Sequence, residues 1–334
     1  PISNSTDMKL ITFEIDPARR HVGAVVGDDD RVVDLTAAAA GSPDAAVFTD
    51  MLNLIDGGPA ALDRARELVR SARQTTALAS VRLLAPIPVP RRLRDFLSFE
   101  LHVRQSRANR HLFGIETEPR DPAKVQIPKV WYDRPIYYKS NCFSVVGHEA
   151  DICWPSYSIT VDYELEVAMV VGRRGKNLSV EDAPAHVFGY CIFNDFSARD
   201  VQYAEMPGSL GPSKGKDFDT GNALGPWIAT ADEVDPQNLT MIARINGEEW
   251  SRGHSGSMHH PFARLLAYAS LEETVYPGEV LGSGTVGGGC GNELGRFMKH
   301  GDVIELEVSG LGVLRNRIVA PHVPRPPSFP IRPA

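Results

Sequence analysis

Between Val161 and Val171 the chain reads Val-Asp-Tyr-Glu-Leu-Glu-Val-Ala-Met-Val-Val, acids alternating with apolar residues and then giving way to an apolar run. Residues i and i+2 of a strand share a face, so Glu164 and Glu166 project together, their Cα atoms about 6.6 Å apart at a rise of roughly 3.3 Å per residue. The continuation Ala168-Met169-Val170-Val171 is the pattern of a strand buried on both faces. Two carboxylates entering a buried site together repel each other unless a cation lies between them. Asp195, in the segment Asn194-Asp195-Phe196-Ser197-Ala198-Arg199-Asp200-Val201-Gln202, supplies a third carboxylate. An all-oxygen set of this kind suits a hard divalent ion, Mg²⁺, Mn²⁺ or Ca²⁺, better than zinc. A substrate can then fill the ion's remaining positions.

The chain has 334 residues, enough for one large domain or two smaller ones. Its formal net charge of −7 lacks the basic footprint of a nucleic-acid binder. No run of 18 apolar residues predicts a membrane helix, and Pro1–Asp7 lacks a signal-peptide core. Cys142, Cys153, Cys191 and Cys290 are widely spaced with no CxxC pair. They read as reduced thiols of a cytoplasmic protein, neither a disulfide framework nor a zinc site.

Residues 8–15 and 22–35 alternate like short strands, and the stretch from Val47 to Ala79 has helical spacing, split by Gly57-Gly58-Pro59. Three prolines between Pro86 and Pro90 predict an extended connector and a boundary between a small N-terminal domain (1–85) and a larger one (86–320). The larger part is strand-rich, with strands expected at 163–172, 187–193, 226–230, 239–246, 278–285 and 302–309. Short helices are expected at 98–110, 179–184, 197–203 and 260–269. Residues 321–334 are proline-rich with too little apolar content for a core element, and read as an extended tail. The expected fold is α+β and β-rich.

Several segments carry candidate chemistry. His102, among acids just after the connector, is a candidate general base; the plainer reading is the solvated face of a helix with Glu100, Arg104 and Arg107. Gly211–Thr220 has phosphate-loop composition, but Asp217 follows Lys216, so the GxxxxGK[ST] pattern is absent. A glycine-flanked lysine there can instead face a developing oxyanion, although the plainer reading of either lysine alone is a solvated loop residue. The glycine-rich run Gly282–Gly291 lets backbone approach a ligand closely. Cys290 within it has no visible Cys–His partner pattern, and His259-His260 point to opposite faces of a strand.

Taken in order, Asp95…His102, Tyr163-Glu164-Leu165-Glu166-Val167, Asn194–Gln202, Lys214-Gly215-Lys216-Asp217-Phe218, Gly282-Ser283-Gly284-Thr285 and Gly301–Val308 resemble the fumarylacetoacetate hydrolase superfamily, over roughly residues 91–320. The resemblance implies a mixed β-roll catalytic domain, a smaller N-terminal α/β domain and a homodimer. It implies Mg²⁺ or a similar ion on Glu164, Glu166, Asp195 and Asp95, with His102 as the catalytic histidine. Arg199, Gln202 and Lys216 match residues that bind and polarise substrate, and Tyr138 and Thr285 match substrate-contacting positions. The glutamate that acylpyruvase-like relatives place three residues after the histidine is Gln105 here. Glu293, beyond the glycine-rich loop, and Glu100 are the candidates to support His102.

The implied function is metal-dependent hydrolysis of a C–C bond in a 1,3-dicarbonyl, acylpyruvate or fumarylacetoacetate-like acid, through a metal-bound enolate. The alternative is a lyase on the same scaffold, a 2-oxo acid decarboxylase or a 2-hydroxypentadienoate-type hydratase or isomerase. Arg104, Arg107, Arg110, Arg120 and Lys124 between 103 and 130 suggest a small anionic oxo-acid substrate.

Overall fold

The computed structural model describes residues 8–16 and 19–320. Expectations for Pro1–Asp7 and for the proline-rich tail lie outside them. In chain order the main strands are β1 (Lys9–Asp16), β2 (Arg19–Val26), β3 (Arg31–Asp34), β4 (Arg92–Phe96), β5 (Tyr137–Ser140), β6 (Leu165–Val171), β7 (Val187–Asp195), β8 (Asn222–Thr230), β9 (Thr240–Ile245), β10 (Glu248–His254), β11 (Glu279–Gly282), β12 (Val303–Val308) and β13 (Gly312–Val319). The helices that matter here are α1 (Met51–Asp56), α2 (Gly58–Ser71), α3 (Glu100–Ala108), α4 (Arg199–Glu205), α5 (Phe262–Ala269) and α6 (Gly291–Leu294).

Two sheets form the body. The larger runs β3-β2-β1-β8-β7-β6-β11-β4-β5, and the smaller runs β10-β9-β12-β13 with Asp151–Cys153 at its edge. Strand β6 is buried at every position, as its composition predicts. Leu165, Val167, Met169 and Val171 pack on one face with Met241, Ile304 and Leu306 of the smaller sheet. Ala168 and Val170 face the other way, into a core with Met51, Leu54, Ala65 and Leu68 of the N-terminal helices. The large sheet is therefore sandwiched, and its central strands have no solvent face.

The first 85 residues are tied to that sheet by the antiparallel pairing of β1 with β8, Lys9 opposite Ala229 and Leu10 opposite Ile228. Gly57-Gly58-Pro59 does separate two helices. Asp50 caps the first through a 2.8 Å bond from the Asn53 amide, and Pro59 sits in the first turn of the second, where its missing N–H costs nothing.

Some boundaries move. The expected strand 226–230 begins at Asn222, and 278–285 ends at Gly282 because the chain turns at Gly284, whose φ is +80°. Residues 179–184 form a capped turn, Ser179 Oγ accepting from the Asp182 amide, followed by a 3₁₀ turn Ala183–His186 rather than an α-helix. Ser197–Ala198, expected at the start of a helix, instead pairs with Val161–Asp162, and α4 starts at Arg199.

Candidate active site

Strand register assembles the site. Asp95 lies in β4 opposite Gly282 of β11 on one side and Tyr138 of β5 on the other. Glu166 in β6 pairs with Phe193 of β7, two positions before Asp195. With β11 between β4 and β6, the carboxylates would stand apart if β11 carried a side chain here. Gly282 leaves the gap open: a Cβ built on it collides with Asp95 Oδ1 and comes within 2.9 Å of the Phe193 ring. Asp95, Glu164, Glu166 and Asp195 thus converge, each offering an oxygen within 4.8 Å of the others, all buried.

The electrostatics of this cluster are those of negative charge that burial disfavours. Burial, together with Asp195, pushes Asp95 well above the usual carboxylate range; burial, together with Asp95 and Glu164, does the same to Glu166. Asp195 is raised to about 6 by burial, with Lys216 opposing. Burial also works against ionised Glu164, but Lys216, Arg199 and His102 outweigh it and hold that group at about 2. Oδ1 of Asp95 and Oδ1 of Asp195 are buried without a hydrogen-bond partner. Orphaned carboxylate oxygens in so dry a place need a cation or a proton. Four oxygen ligands of this type fit a hard divalent ion.

Other side chains bracket the cluster. Lys216 Nζ lies 2.7 Å from Glu164 Oε2 and 2.5 Å from Asp195 Oδ2, and the Tyr138 hydroxyl donates to the same Asp195 oxygen. Thr285 Oγ1 donates to Glu166 at 3.3 Å, and the Gly284 amide to its other oxygen at 3.0 Å. The hydroxyls of Tyr138 and Thr285 are therefore engaged with cluster carboxylates, although both residues also line the cavity beside it. Arg199 places Nη2 2.7 Å from Glu164, donates through Nε to Asp162 and through Nη1 to Gln202 Oε1.

A cavity of about 290 Å³ opens over this group, lined among others by Asp95, His102, Glu164, Arg199, Gln202 and Lys216. His102 lies on α3 and is not on its solvent face. Its Nδ1 is 3.2 Å from Glu293 Oε2, and both groups are buried. Glu293, at the start of α6, also accepts from the Gly288 amide (2.9 Å), the Cys290 amide (3.1 Å) and the Cys290 thiol (3.3 Å). Gln105 donates nothing to His102; its Oε1 takes the Gly288 amide at 3.0 Å, bracing the loop that presents Glu293. Glu100 does not support His102: it is paired with Arg104 and Tyr132.

Asp162 was not singled out from the sequence. It accepts from Arg199 Nε (2.8 Å) and from the amides of Gly291 (2.8 Å) and Asn292 (2.9 Å), and so joins the arginine to the turn that carries Glu293. Its place in the alternating acid run was the available signal. His259 and His260 bond to the carbonyls of Tyr132 and Trp131 and lie outside the cluster. All four cysteines are free thiols.

The chain is similar to known proteins. The mitochondrial oxaloacetate tautomerase FAHD2B of Bos taurus is 31% identical over 325 residues, covering 96% of this chain and 94% of that protein. A fumarylacetoacetate hydrolase from Exiguobacterium antarcticum superposes with a TM-score of 0.71 at 26% identity, covering 94% of this chain and all of that one. The maleylpyruvate hydrolase of Sphingobium sp. SYK-6, solved with manganese(II) and pyruvate, has the same fold, with a TM-score of 0.70 at 23% identity over 94% of this chain and 99% of that one. Among the described residues no helix is long and apolar enough to cross a membrane. The model of the fumarylacetoacetate hydrolase C-terminal domain matches residues 93–319, the span that carries every carboxylate of the cluster and both members of the His102–Glu293 pair, and the chain belongs to that family.

Proposed function

We propose that this chain is a divalent-cation-dependent enzyme that moves a proton between carbon and oxygen of an enolisable oxo acid, with keto–enol tautomerisation of oxaloacetate as its reaction. The observation that carries this reading is the His102–Glu293 pair, 3.2 Å apart and buried, whose histidine lines the same cavity as Asp95 and Glu164 of the carboxylate cluster. The choice of oxaloacetate is supported by the likeness to the bovine tautomerase along nearly the whole chain.

The chemistry of the residues is direct. A carboxylate on Nδ1 keeps the imidazole proton there, so Nε2 holds the lone pair of a base. His102 takes a proton from the methylene carbon between the keto group and the far carboxylate; the C–H electron pair becomes the C=C bond, and the keto π pair moves to its oxygen. The same imidazolium returns the proton to that oxygen, or the sequence runs in reverse. Gln202 accepts from Arg199 through Oε1, which leaves its amide nitrogen as a donor for a substrate carboxylate. Lys216, fixed between Glu164 and Asp195, adds positive charge where the oxygen becomes anionic. A divalent ion on Asp95, Glu164, Glu166 and Asp195 would supply a Lewis acid that draws electron density from the substrate oxygens.

The C–C hydrolysis expected from the sequence uses the same base on water instead of carbon, so products discriminate. With oxaloacetate and Mg²⁺, the enol absorbance should relax faster than in buffer, without loss of carbon. His102→Ala should slow this by about 10²–10⁴-fold, the usual worth of a positioned acid–base group, while leaving Mn²⁺ binding intact. Two shorter acids from an acylpyruvate or diketo acid, with no effect on oxaloacetate, would assign hydrolysis; release of CO₂ would assign a decarboxylase.

A further inference from the structure

The tip of the glycine-rich loop brings a second trio of ligand atoms together behind the proposed base. His102 Nδ1 lies 3.2 Å and Cys290 Sγ 3.3 Å from the same oxygen, Glu293 Oε2, and the ligand atoms of the three residues all lie within 4.8 Å of one another. All three residues are buried. Bonds of about 2.0 Å from zinc to nitrogen or oxygen and about 2.3 Å to sulfur put neighbouring ligand atoms of a tetrahedral site roughly 3.3–3.7 Å apart. The two measured separations are therefore close to the edges of such a site without rearrangement of the loop.

We propose that His102, Cys290 and Glu293 form a second cation site, selective for a borderline ion such as Zn²⁺, whose occupation switches off the base. The trio offers nitrogen, sulfur and oxygen, whereas the neighbouring cluster offers four carboxylates. Ligand softness thus sorts the ions: Mg²⁺ to the carboxylates, Zn²⁺ to the thiol-containing trio. An ion enters from the cavity side, where His102 and Asn292 form part of the wall. On binding, the Cys290 S–H bond breaks, its electron pair goes to the ion and its proton leaves to solvent. Neutral His102 gives its Nδ1 lone pair, which forces the ring proton onto Nε2, and Glu293 exchanges its contact with Nδ1 for the ion. An imidazole protonated on Nε2 and occupied on Nδ1 has no lone pair left to accept a proton. This departs from the expectation that no cysteine belongs to a zinc site, because the partners of Cys290 come from α3 and α6 and not from a nearby cysteine.

The first test is optical and does not depend on the proposed reaction. Protein saturated with Mg²⁺ is titrated with Co²⁺, which reports a thiolate ligand through a near-ultraviolet sulfur-to-metal charge-transfer band. A band saturating at one equivalent and absent in Cys290→Ser is expected, with Zn²⁺ removing it. Equilibrium dialysis against Zn²⁺ in the presence of Mg²⁺ should give one more bound ion in wild type than in Cys290→Ser, with Glu293→Gln as a second variant should the serine form fail to fold. Absence of the band in folded wild type, its persistence in Cys290→Ser, or equal zinc counts would each overturn the site. The further effect, at least tenfold weaker inhibition of turnover by Zn²⁺ in Cys290→Ser, rests on His102 being the base; a band without inhibition would keep the site and reject that role.

Discussion

Glu293 is held so that both of its oxygens accept backbone protons, from Gly288 and from Cys290. Glu293→Gln cannot meet both: its NH₂ opposes the Gly288 amide in one orientation, and in the other opposes the Cys290 amide while donating to His102 Nδ1, which moves the ring proton to Nε2. Turnover is expected to fall by about 10²–10⁴-fold, as for removal of a base or of its orienting carboxylate; near-wild-type turnover would remove Glu293 from the chemistry. The carboxylate cluster makes a prediction of opposite character. Asp195 is raised from 3.8 to about 6, with burial the largest cause. A carboxylate that binds its proton more tightly when folded lends stability below its unfolded value and loses it as the pH climbs through the folded one. Metal-free protein should therefore lose this contribution between about pH 4 and pH 6. The rise in Tm on adding Mn²⁺ should be larger at pH 7.5 than at pH 5, because at pH 5 the ion must displace protons; a pH-independent rise would contradict the cluster as its site. Of these residues, Glu164 and Glu166 were legible because alternation along a strand is a local property, and Asp195 because it stands in the distinct segment Asn194–Gln202. Glu293 was one of two candidates until the fold showed Glu100 paired with Arg104.

At the scale of elements, β11 matters through what it lacks. It lies between β4 and β6, and Gly282 in it faces both Asp95 and Phe193. Gly282→Ala should cost about 1–3 kcal/mol, as overpacking of a filled core does. It should also weaken Mn²⁺ binding by displacing Asp95, whereas Gly310→Ala, where a Cβ meets nothing within 4 Å but φ is +77°, should cost stability alone. Isothermal titration with Mn²⁺ separates the two, and unchanged affinity in Gly282→Ala would show that Asp95 has room to move. The elements themselves were largely readable: a doubly buried strand from an unbroken apolar run, two helices from one glycine–proline break. The start of α4 was not, because Ser197–Ala198 is drawn into a pairing with Val161–Asp162 that lies far away in sequence.

Across the whole molecule, β4 is held to β11 by a buried ion pair as well as by backbone pairing. Arg94 Nη1 donates to Glu279 Oε2 at 2.7 Å, and its other terminal nitrogen meets Glu273. Arg94 is fully buried and Glu279 nearly so. Glu279→Ala leaves that guanidinium short of a partner and should cost about 3–5 kcal/mol in urea unfolding. The double change Arg94→Met with Glu279→Leu should cost much less, since it removes both charges from the dry interior; equal losses would show that packing rather than charge holds this edge. Since β4 carries Asp95, the single variant should weaken cation binding too.

Read alone, the chain determines what its local periodicities and spacings determine: a β-rich body and a central strand with acids at one end, whose apolar continuation weighs against a solvent-facing strand. Those signals survive because strand alternation and burial are encoded within a few residues. Only the tertiary structure decided which groups meet. The pairing of His102 with Glu293, the bracing of their loop by Gln105, the link from Asp162 to Arg199 and the space left by Gly282 all join segments distant in sequence, and no local pattern specifies a contact whose two halves are placed by different elements.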